Sequence, residues 1–157
     1  MIVVYRWDMR PPKSSTGFRV GHVAIDVSGT YMSWFPTQHG SVSSPARVGE
    51  SLDDDIEQEH GPPHQIMRVG TNGKTLDEDA MRSWWWRFIA SPPPWAIGST
   101  NCAQIVIDAL RAGGSDQYVG ANDPKLVAMY RRKSIVWRPW QLPDYIKQIN
   151  NGMLAKK

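Results

Sequence analysis

The chain contains one cysteine, Cys102, within STNCAQIVIDALRAGG (99–114), and four histidines, His22, His39, His60 and His64. A thiol in the first turn of a helix lies among backbone N–H groups that have no intrahelical partner, at the positive end of the helix dipole. Both favour thiolate over thiol. The same N–H groups point to where an attacked carbonyl gathers negative charge, so the amide of Cys102 is itself a candidate oxyanion donor. The alternative is a small apolar residue packed against a sheet, which is how many free cysteines serve. A lone cysteine supplies neither a disulfide nor the thiolate pair of a structural zinc site.

A nucleophilic cysteine needs a base within hydrogen-bond reach. His22 directly follows Gly21 and opens the apolar run HVAIDV (22–27), where a strand would hold an imidazole rigidly; a core histidine bonded to a backbone carbonyl is the other reading. His60 and His64 are separated by Gly61-Pro62-Pro63, which prevents the helix that would place both on one face as metal ligands, so no metal and no cofactor are expected. His39 lies in a Gly/Ser-rich loop.

A third polar group usually orients the base. Asp26 shares the face of His22, but four strand residues separate them by about 13 Å. The partner strand offers Ser33, with Thr37, Gln38 and His39 further along, near the level of His22. Ser33 lies inside that strand and is the residue assigned here, with Gln38 and His39 as alternatives.

These residues need elements to position them. Ile2 to Asp8 has the β-branched and aromatic content of a strand, ended by Pro11-Pro12. Phe18 to Phe35 reads as two strands around the turn dipeptide Ser28-Gly29. Pro36 to Pro63 shows no sustained period and reads as a long surface excursion, either a cover for the site or ornament, with a short helix around Leu52 to His60. His64 to Val69 returns as a strand. Thr75, with Glu78 three residues on, forms a capping box for a helix running to about Ala90, before Pro92-Pro93-Pro94. A second helix starts near Asn101 and ends at Gly113-Gly114, with Ile105, Val106, Ala109 and Leu110 as its buried stripe. Asp123-Pro124 opens a short helix to about Arg131, Ile135 to Arg138 reads as a strand, and Pro143 to Asn150 as a last helix.

With 157 residues, 41% hydrophobic and 21% charged, the chain is sized for a single domain, 1–157, and is not of disordered composition. The opening MIVVYRWDMRPPK turns to charge and proline too early for a signal peptide or a membrane span, which predicts synthesis in the cytoplasm and no integral membrane segment. The net charge of +3 is uneven: SLDDDIEQEH (51–60) is acidic and YRRKSIVWRPW (130–140) is basic. Arg131, Arg132 and Lys133 are not interleaved with a recognisable nucleic-acid motif, so no nucleic-acid partner is expected. Of Trp84, Trp85 and Trp86, which span almost a full helical turn, at least one should face a groove or solvent.

Gly21-His22, the hairpin ending in YMSWFP (31–36) and NCAQIVIDALRAGG (101–114) together resemble the circularly permuted branch of the NlpC/P60-like, papain-fold cysteine hydrolases. In that branch a strand histidine precedes a helix-start cysteine. The match covers roughly a quarter of the chain. It implies an α+β fold in which an antiparallel sheet packs against the cysteine helix, with Cys102 as nucleophile and His22 as general base. The family's third position, usually His, Asn or Gln, has no unambiguous counterpart here. The implied activity is a peptidase or amidase acting on a peptide, protein or acyl-bearing substrate; lipid or protein acyl transfer on the same fold and a binding module without chemistry are the rivals. The pattern is also similar to small thiol-hydrolase domains of bacterial effectors and toxins, a resemblance compatible with export through a signal-independent secretion system and an inhibitory immunity protein as partner, although a cytoplasmic enzyme would look the same.

Overall fold

The computed structural model describes residues 1–8, 21–38, 42–119 and 136–156. The helix expected after Asp123 and the basic run Arg131 to Lys133 lie outside them. Apolar, β-branched runs form the sheet: β1 (Ile2–Trp7), β2 (His22–Val27) and β3 (Thr30–Pro36). The turn between β2 and β3 has Ser28 at φ 50° and Gly29 at φ 86°. Two left-handed residues in succession match the right-handed twist of the flanking strands, which is why a Ser-Gly pair closes this hairpin. The Gly29 amide donates to Oδ1 of Asp26 at 2.9 Å, so Asp26 serves the turn.

β4 (Ser43–Ser44) and β5 (Ala46–Gly49) follow, then α1 (Leu52–Gln58) and β6 (Gln65–Val69). The main sheet has the order β5-β3-β2-β1-β6, and each neighbouring pair is antiparallel. The stretch read as a surface excursion therefore contributes an edge strand, paired through Ser33 with Gly49 and Phe35 with Arg47, and a helix. ARVG is too short to show a period, and only its pairing with β3 makes it a strand.

α2 (Glu78–Ala90), β7 (Trp95–Ala96), α3 (Cys102–Ala112) and α4 (Leu142–Ala155) complete the described elements, with β7 paired to β4. α2 is capped by Asp77, whose side chain accepts from the Ala80 amide, and not by Thr75. Leu76 is buried and the Asp77 amide donates to the Gly113 carbonyl, so the chain stays extended until Asp77. At the other end of α3, Gly114 takes the left-handed position at φ 85°. Residues 136–138 form no strand; a 3-10 turn at Pro139–Gln141 leads into α4.

The architecture is α+β. One face of the sheet, carrying Ile2, Val4, Val23, Ile25, Val27, Met32 and Trp34, is buried against α2, α3 and α4. The expected stripe of α3 is buried, as are Cys102, Ala103 and Ile107, so this helix is enclosed almost all round. Burying each of its larger side chains is worth about 1.5–3 kcal/mol, which fixes the depth at which its N-terminus meets the sheet. Of the three consecutive tryptophans, Trp85 is buried and Trp86 is exposed. Among the described residues no helix is long and apolar enough to cross a membrane.

Candidate active site

Cys102 is the first residue of α3. Asn101 caps the helix: its Oδ1 accepts from the Gln104 amide at 2.9 Å, and its Nδ2 donates to the carbonyls of Ile97 at 2.9 Å and Trp137 at 3.0 Å. Trp34 of β3 donates its indole N–H to the Thr100 carbonyl at 3.1 Å. The turn that presents the thiol is thus tied to both the sheet and the C-terminal segment. Cys102 itself is 5% exposed.

His22 opens β2 at the end of the sheet, 3% exposed, between two aromatic rings. Phe35 stacks on the imidazole at 4.0 Å between centroids, and Trp7 lies at 5.5 Å. Strand alternation turns His22, Ser33 and Tyr31 to the side facing α1. There Nε2 of His22 lies 3.0 Å from Oδ2 of Asp55 and 3.0 Å from Oγ of Ser33. Ser33 donates its hydroxyl to the same carboxylate, at 2.8 Å to Oδ2 and 3.1 Å to Oδ1, and Tyr31 donates to Oδ2 at 2.6 Å. Cys102 is the third side chain in hydrogen-bond contact with His22.

Burial alone would push the His22 pKa down. The hydrogen bonds from Asp55 and Cys102 and the charges of both outweigh it, and the value is pushed up to about 10. The imidazole is therefore held protonated.

The structure places Cys102 and Ser33 in contact with His22. The charged partner of His22 is Asp55, which the sequence reading missed. Asp55 is fully buried in the first turn of α1 and meets the strand at Gly49, where a Cβ would stand 2.7 Å from its Oδ1. The signal was present in SLDDDIEQEH: Ser51 caps the helix by accepting from the Asp54 amide, and three carboxylates follow Leu52. Helix-dipole compensation explains exposed acids in a first turn, and it does not explain one that faces inward. Gln38 has no place in the cluster's hydrogen bonds, Thr37 is bonded to Pro45, and His39 lies outside the described residues. His64 accepts the Asp8 amide through Nδ1 at 3.0 Å. Among the described residues no group of three or more His, Cys, Asp or Glu is placed to hold a metal ion.

Residues 46–157 match the family model of the IcsB middle domain, and the chain belongs to that family. The matched span includes Asp55 and Cys102 and begins after His22 and Ser33. No curated protein and no solved structure matches the chain.

Proposed function

We propose that the protein is a cysteine hydrolase of the amidase or peptidase type, built on a permuted papain-like plan. The observation that carries this reading is the placement of His22, hydrogen-bonded to Asp55 through Nε2 and to Cys102 at the start of α3. The order of the pair, strand histidine before helix cysteine, supports the permuted arrangement.

In the proposed reaction the proton of Cys102 already rests on His22, and the thiolate attacks the carbonyl carbon of an amide or ester. The cap of α3 uses the amides of Gln104 and Ile105, leaving those of Cys102 and Ala103 to face the oxyanion. As the tetrahedral intermediate collapses, the C–N or C–O bond breaks and the leaving group takes the proton from His22. Water, deprotonated by His22, then attacks the thioester, releasing the acid and the free thiol. Asp55 keeps the imidazole oriented and its charge compensated throughout.

A second reading, transfer of the acyl group to an amine or hydroxyl acceptor, is favoured by one observation. Cys102 and His22 are 5% and 3% exposed, and a thioester so sheltered meets bulk water poorly. Product analysis with and without an added acyl acceptor separates transfer from hydrolysis. The resemblance of the motifs to small thiol-hydrolase domains of bacterial effectors supports action outside the producing cell.

The test is the rate of iodoacetamide alkylation of the single thiol against pH, in the native protein and in His22→Ala. Fast labelling that persists below about pH 8, and slows in His22→Ala, is expected of a thiolate held by an imidazolium. Labelling only after unfolding makes Cys102 a core residue and leaves the binding module without chemistry as the reading.

A further inference from the structure

The carboxylate of Asp55 is held from one side by more donors than a catalytic carboxylate needs to orient a histidine. Three converge on Oδ2: the Tyr31 hydroxyl at 2.6 Å, the Ser33 hydroxyl at 2.8 Å and Nε2 of His22 at 3.0 Å. Ser33 also reaches Oδ1, at 3.1 Å. A hydroxyl shared between both oxygens does not by itself fix the rotation of the carboxylate about its Cβ–Cγ bond. The donor that does is the one directed at a single oxygen from the far end of β3.

We propose that Tyr31 is a positioning residue of this centre, its hydroxyl turning the Asp55 carboxylate so that Oδ2 faces Nε2 of His22. The inference rests on the cysteine-hydrolase reading above.

Tyr31 is suited to this. Burial, then the charge of Asp55 and the hydrogen bond to it, push its phenol far above the ordinary value of 10, so the hydroxyl remains a donor wherever the enzyme could work. The titratable or charged groups around the pair come from every adjoining element: Tyr5 of β1 and Asp26 of β2 beside Tyr31, His22 of β2 against Asp55, Cys102 of α3 beyond His22, and the Arg47–Asp54 ion pair bridging β5 and α1. Among the described residues only Tyr31 and Ser33 give Asp55 a hydroxyl. Tyr5, whose ring lies 6.1 Å from that of Tyr31, has the same chemistry and no bond to the carboxylate, which makes it the control.

The experiment is a double-mutant cycle read by iodoacetamide labelling near neutral pH, with the fold followed by circular dichroism. Tyr31→Phe is expected to slow labelling about tenfold, the worth of one charge-assisted hydrogen bond, and to move the pH profile up by about one unit. In Asp55→Asn, adding Tyr31→Phe should change nothing further, because a residue that acts through Asp55 has nothing left to act on. Tyr5→Phe should label like the native protein. Native labelling in Tyr31→Phe, or the same slowing in both backgrounds, overturns the inference. If the native protein, His22→Ala and Asp55→Asn all label at one slow rate, the hydrolase reading itself fails, and the positioning role falls with it.

Discussion

Gly49 and Asp55 fit together only because Gly49 has no side chain. A Cβ there would stand 2.7 Å from Oδ1 of Asp55 and 2.8 Å from Cβ of Ser33. The contact lets α1 sit close enough to β3 for a buried carboxylate to reach across the sheet edge to His22.

Gly49→Ala should therefore damage the site as well as the fold. The added methyl meets groups on two elements and must displace the carboxylate or the edge strand, at a cost of about 1–3 kcal/mol. The expected result is a lower midpoint in urea together with slower thiol labelling in the protein that is still folded. Native-like labelling at reduced stability would mean that α1 moves as a unit and keeps Asp55 on His22.

Asp55→Asn keeps the shape and removes the charge. The bond between a carboxylate and an imidazolium is worth about 1.5–3 kcal/mol, so the rate of thiol labelling near neutral pH should fall roughly tenfold to a hundredfold. Labelling rates measured beside a near-native circular dichroism spectrum check this. Unchanged labelling would mean that Ser33 alone orients His22, the role the sequence reading assigned to it.

The hairpin and the α3 helix were legible because each has a local cause: a turn dipeptide, and a cap with an apolar stripe. Ser33 was legible from strand register. Asp55 was not, since its partner His22 lies 33 residues away and no local pattern distinguishes one acid of Asp53-Asp54-Asp55 from the next. What singles it out is tertiary: β5 pairs with β3, the Ser51 cap sets where α1 starts, and only the third acid then turns inward. The capping box at Thr75 was misplaced for a similar reason, because the burial of Leu76 delays the helix to Asp77.

Asn101 couples helix stability to thiol placement. Its Oδ1 caps α3 while its Nδ2 holds two carbonyls from separate segments. Asn101→Ala should cost about 1–2 kcal/mol for the cap, and more for the two carbonyls left without their donor. Asn101→Asp keeps the capping oxygen and loses the donor. If chemical denaturation finds the aspartate variant as stable as the native protein, the Nδ2 bonds contribute nothing and the cap accounts for the whole effect.

The His22–Asp55 bond should also make stability depend on pH, and Cys102→Ala isolates it by removing the titrating sulfur. In the native chain the folded pKa of His22 is raised from 6.5 to about 10, with Cys102 contributing part of the rise. Without the thiol the folded value should lie lower, and the prediction is that Asp55 alone keeps it above the unfolded one. A group whose folded pKa exceeds its unfolded pKa binds more protons in the folded state between the two values. Its stabilisation is complete below the unfolded pKa and is lost as pH rises through the folded one. Stability of Cys102→Ala should thus fall from about pH 6.5 upward, by at most about 1.4 kcal/mol per pH unit, and level off before the pH at which the native His22 would titrate. Urea midpoints taken between about pH 6 and pH 9 in Cys102→Ala and in Cys102→Ala/Asp55→Asn measure the slope, which the second substitution should flatten. Equal slopes in the two variants would show that the carboxylate does not hold the proton, and the charge assigned to this buried pair would have to be withdrawn.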